Sequence, residues 1–113
     1  MKNKTVWISL LEMVPLSEED KAEMDGAVTN GLTFASSMEI ALKNFEKKLL
    51  EMGFQLIASE DTEKYNDRIS RTTVSKEIEL LAKEVKVSEN TRFGTFHTWD
   101  GTENEELNGK IAT

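Results

Sequence analysis

The stretch from Ser36 to Gly53, SSMEIALKNFEKKLLEMG, constrains the fold more than any other. Met38, Ala41, Leu42, Phe45, Leu49 and Met52 recur at spacings of three and four, which sets them along one side of a helix. Lys43, Glu46, Lys47 and Glu51 fall away from that side. The helix starts at Ser36 or Ser37; Ser36 is placed to accept a backbone N–H in the first turn, with Glu39 three positions on completing a capping box. Gly53 follows the last periodic residue, where a left-handed cap is cheapest without a Cβ. Such a stripe has to be buried, so the other segments are expected to supply a sheet and a second helix. Ile40 and Leu50 lie off the stripe and are the residues to suspect if this helix also meets a partner.

Before that helix, Thr5–Val14 is rich in β-branched and aromatic residues, and both of its alternating sets are largely apolar. Val6, Ile8, Leu10 and Val14 form one set, broken by Glu12; Trp7, Leu11 and Met13 belong to the other. Apolar residues on both faces predict a central strand, which Pro15 ends. Residues 16–25 are acidic and read as a short helical turn or surface loop, capped by Ser17 with Asp20. Residues 27–35 form a second strand in which Gly31 suggests a bulge. After Gly53 comes a compact strand, Phe54–Ser59, then a polar connection over 60–71 with about one helical turn. Ser75 caps a second helix running to about Val85, with Ile78, Leu81, Ala82 and Val85 as its stripe. Arg92–Asp100 is the last strand, with Phe93, Thr95, His97 and Trp99 on one face. The order β-β-α-β-α-β predicts an α+β domain over residues 1–100. Its expected form is a four-stranded mixed sheet with both helices on one face. Residues 101–113 are polar and aperiodic, and are expected to be a disordered tail.

Composition narrows the function classes. Asp plus Glu number 21 against 14 Lys plus Arg, a formal charge of −7. That field repels phosphate backbones and anionic lipid surfaces, so neither nucleic acid nor membrane is an expected partner. With no cysteine, thiolate metal sites and a Cys nucleophile are excluded. The apolar run near the N-terminus is interrupted by Glu12 and is shorter than a spanning helix needs, which leads to a cytoplasmic expectation. In size, acidity and lack of cysteine the chain resembles small stand-alone bacterial proteins, toxin-neutralising immunity proteins among them, without a shared motif.

Few residues invite chemistry. His97 is the only histidine, so any imidazole acid or base must be this residue. Arg92, His97 and Trp99 are the candidates for a ligand pocket between the last strand and the second helix, with Arg92 holding an anion. The acids of residues 18–25 lack the spacing of a calcium loop, and Gly26 and Gly31 lie in the wrong context for a phosphate loop. No cofactor and no metal are expected. The reading that follows is a non-enzymatic domain acting through a protein partner. Trp7, Leu11 and Met13 on an open sheet face would be the contact residues, and the acidic surface would steer a basic partner. A small-ligand protein or enzyme using His97 and Arg92, and a structural homodimer, are the alternatives.

Overall fold

The computed structural model describes residues 3–99; the tail at 101–113 lies outside the described residues. The elements in order are β1 (Thr5–Pro15), α1 (Glu18–Glu23), β2 (Gly26–Ala35), α2 (Met38–Glu51), β3 (Phe54–Lys64), α3 (Tyr65–Arg71), α4 (Lys76–Ser88), β4 (Arg92–Phe93) and β5 (His97–Trp99). The α+β class is as expected. The sheet, however, has five strands in the order β3-β1-β2-β4, with β5 also on β2. Every pair is antiparallel, so the sheet is not mixed. β2 and β3 do run in the same direction, but β1 lies between them and takes both sets of backbone bonds. The central position expected for β1 is therefore correct.

The helices do not share a face. On one side Trp7, Leu11 and Met13 of β1, with Ala27 and Ala35 of β2, pack under Ala41, Phe45 and Leu49 of α2. On the other, Val6 and Ile8 of β1 and Leu32 of β2 pack under Ile78, Ala82 and Val85 of α4. The reason is in β1 itself: with both alternating sets apolar, one covered face would leave Val6 and Ile8 in water. Trp7, Leu11 and Met13, expected on an open face, are thus core residues at 7%, 0% and 0% exposure. The Trp7 indole N–H donates to the Ala35 carbonyl at 3.1 Å, so even its polar atom is satisfied inside.

Local signals account for several helix ends. Ser17 Oγ accepts from the Asp20 N–H, and Ser75 Oγ accepts from the Ile78 N–H, as their positions imply. α2 is capped by Ser37, which accepts from the Ile40 N–H at 3.2 Å, not by Ser36, so the Glu39 capping box does not form. Gly53 has φ +92 and caps α2 as expected. Gly31 is not a bulge, since its register with Ser9 is continuous. A Cβ there would lie 2.6 Å from Leu11 Cδ1 and 2.9 Å from Phe45 Cε1, so the glycine makes room for the α2 core.

β3 runs five residues past its expected end at Ser59, through a charged stretch that looks like loop in sequence. As an edge strand it needs only one dry face, and its charges and two register shifts against β1 blunt the free edge. α3 is tied to it by Glu63, which takes Arg68 and Arg71 together. Those hydrogen bonds, Arg71 first, hold the Glu63 carboxyl at about 2 against an ordinary 4.5.

Two outcomes follow from this packing. Phe45→Ala empties the centre of the α2 core and is expected to cost about 3–5 kcal/mol, read from the denaturant midpoint; a loss below about 1 kcal/mol would deny Phe45 that place. Glu63 has a depressed pKa in the folded chain, so its contribution is present above pH 4.5 and is lost as pH falls toward about 2. The melting temperature of wild type should therefore exceed that of Glu63→Gln at pH 7 and converge with it near pH 2.

Candidate functional site

The face under α4 is covered along only part of its length. α3 and α4 pack on the rows that hold Val6, Ile8, Leu32 and Phe34. Further along β1, on the same alternating set, Leu10, Glu12 and Val14 are 36% exposed or half-buried. They belong to neither buried cluster, and α1 borders Val14 through Lys21. The register defines this strip. Ala58, Glu12, Val28 and His97 form one row across four strands. Glu60, Leu10 and Asn30 form the next, toward α4. Beyond the central row lie Val14 opposite Gln55, and Trp99 opposite Gly26. The strip runs on into a concavity of about 310 Å³ bordered by Met24, Asp25 and Lys21.

The boundary with α4 is set by an irregularity in the last strand. Residues 94–96 occupy the space opposite Asn30 and Thr29, three against two, so β4 and β5 are separate short strands. Buried Thr29 donates to the carbonyls of Gly94 and Thr95, both at 3.0 Å. Gly94 N–H donates to the Asn30 carbonyl at 2.8 Å. From α4, Glu77 accepts from the Thr95 hydroxyl at 2.7 Å and from its N–H at 3.3 Å. Those two bonds, with a smaller contribution from the nearby His97, hold the Glu77 carboxyl below its ordinary range. The irregularity also breaks the alternation expected for residues 92–100. Phe93 and Phe96 both turn toward α2, with ring centroids 5.8 Å apart, while His97 and Trp99 remain on the strip side.

The candidate ligand residues are thereby separated. Arg92 pairs with Leu32, in the part covered by α4, and its guanidinium meets Glu84 at 3.2 Å. His97 is opposite Val28, four residues along β2, which is about 13 Å at the rise of a strand. It is exposed. Trp99 is half-buried over Gly26, where any Cβ would lie 2.6 Å from the indole ring. These three do not converge on one cavity. Concavities of about 260 and 280 Å³ lie elsewhere, one between α2 and the turn after α4, the other between α3 and α4, and neither is lined by Arg92, His97 or Trp99. Asp100, the acid nearest His97 in sequence, lies outside the described residues. Among the described residues, no three His, Asp or Glu side chains gather as a metal site, and no helix is long and apolar enough to cross a membrane.

Glu12 is the residue that sequence reasoning passed over. It is half-buried, with Leu10 and Val14 on either side along β1 and Val28 and Ala58 opposite it on the flanking strands. Among the described residues it makes no salt bridge and no side-chain hydrogen bond. Its signal in the sequence was the interruption of an otherwise apolar alternating set.

Ile40 and Leu50 are exposed at 42% and 50%, but so are Met38 and Met52 at the two ends of the expected stripe, at 45% and 44%, so only Ala41, Phe45 and Leu49 of α2 are buried. Ile40 and Leu50 point to different flanks of the helix and form no common patch.

Compared with known proteins, the chain matches no family model, no curated protein and no solved structure.

Proposed function

We propose that this chain is a non-enzymatic interaction domain that holds a protein partner against the uncovered half of its α4-side sheet face. The observation that carries the reading is the discontinuity of cover. One half of a single sheet face is dry under α4, while Leu10, Val14, Val28 and Ala58 in the other half are left partly in water. A strip of this kind gains most from a partner that completes the layer. The charge of −7 favours a basic partner and speeds its approach. The small-molecule alternative loses support, because Arg92 is engaged by Glu84 and lies about 13 Å from His97.

The test is a comparison of wild type with the double variant Leu10→Arg/Val28→Arg. Both positions are partly exposed, so the variant is expected to unfold cooperatively within a few degrees of wild type. Affinity capture at native abundance should retain a stoichiometric protein on wild type and lose it, by about a hundredfold or more, on the variant. Equal retention by the two proteins, or no retained protein on either, would contradict the reading.

A further inference from the structure

We propose that the strip is the seat of a single partner helix, and that Glu12 selects that helix by pairing with one basic residue in the middle of its apolar face. The inference rests on the interaction reading above and names its partner. Other carboxylates of the fold are engaged: Glu63 by Arg68 and Arg71, Glu84 by Arg92, Glu77 by Thr95. Glu12 alone sits inside an apolar frame, bounded by Leu10, Val14, Val28 and Ala58, with none of the described residues to pair with. Any occupant that dries the strip also removes water from this carboxylate. A wholly apolar occupant would strand the charge, whereas an Arg or Lys would meet it. The same group therefore rejects one class of partner and recruits another.

The rows of the strip are spaced by two residues along β1, about 7 Å per row, so three rows span about 13 Å between their centres. A helix with its side chains is about 10–12 Å across. The strip is one helix wide along the strand direction and lies off the N-terminal end of α4, which follows the strands from Glu77 at Thr95 to Glu89 at Lys4. The occupant would lie along the rows, across the strands from Ala58 to His97, and so cross the direction of α4. Glu60 on β3 and Glu77 at the start of α4 stand on opposite sides of the strip and favour further basic residues on its flanks. Lys21 and Asp25 at the far concavity leave that end near neutral.

A two-fold arrangement over the strip would bring Glu12 toward its own symmetry mate, between molecules that each carry a charge of −7. The strip is built against self-pairing.

The experiment is a selection from a displayed library of helical peptides randomised on one face. Binders are selected on the wild-type full chain and counter-selected on Leu10→Arg. Enriched peptides should carry Arg or Lys at one central position of an apolar face. Against Glu12→Gln, whose fold is checked by circular dichroism, their affinity should fall by about tenfold or more. Replacing the central basic residue with norleucine should cause a similar loss on wild type and little further loss on Glu12→Gln. Binders sensitive to Leu10→Arg but without a central basic residue, or with one that ignores Glu12→Gln, would overturn the inference and leave the docking reading standing. If no binder is sensitive to Leu10→Arg, both fall. Should the wild-type chain instead form a dimer that Leu10→Arg dissociates, the occupant is a second copy and the inference is overturned.

Discussion

Both faces of β1 have to be kept dry, and the rest of the molecule is arranged around that requirement. The strand carries Trp7, Leu11 and Met13 on one side and Val6 and Ile8 on the other, all nearly or fully buried. At roughly 25 cal/mol per Å² of apolar surface removed from water, leaving either set uncovered would forfeit several kcal/mol. α2 answers the first set and α4 the second. β2 and β3 then flank β1 on both edges, which forces the all-antiparallel order and separates two strands that a single helix connects.

Polar groups inside this arrangement are placed with equal economy. Ser9, Thr29 and Thr33 lie on the α2 side of the sheet and are buried, and each finds a partner from a segment distant in sequence. Ser9 meets the Thr62 hydroxyl at 2.7 Å, and Thr33 meets the hydroxyl of Thr91 and the amide of Asn44. Thr29 holds the carbonyls of Gly94 and Thr95. These bonds fix β3, α2 and the irregular last strand against the central pair. Because Thr29 and Glu77 grip residues 94–95 from two sides, the start of α4 is set, and among the described residues α4 covers the sheet only on the Val6 and Ile8 side of that point. The open strip is thus a consequence of the packing, and Glu12 gives that strip its chemical character.

Much of this was legible in the amino-acid order. The period of three and four in Met38–Met52 and in Ile78–Val85 located both long helices, and Ser75 and Gly53 marked two of their ends correctly. The central place of β1 followed from its two apolar sets. What that observation also implied, cover on both faces, was obscured because α2 and α4 each look able to share one side. With both helices on one side, Trp7, Leu11 and Met13 fall on an open face, whereas in the fold they are the floor of the α2 core. The charged half of β3 was hidden for a different reason. An edge strand with one exposed face can carry Glu60, Asp61 and Glu63 without losing its backbone bonds, and no local pattern tells it from a loop. The separation of Arg92 from His97 depends on the extra residue at 94–96, which alternation alone does not reveal.

Among the described residues one sheet face is divided into a covered and an open half. The natural chain has no cysteine, so a single introduced thiol reports its own position. The most direct measurement compares the rate of thiol labelling under native conditions for Leu10→Cys and Val28→Cys with that for Ile8→Cys and Leu32→Cys. All four positions belong to the same face. The account predicts fast labelling of the first two, and for the second two slow labelling limited by opening of the fold. Comparable rates at all four positions would contradict it. Uniformly fast labelling would mean that α4 does not cover its half; uniform protection would mean that the strip is already closed.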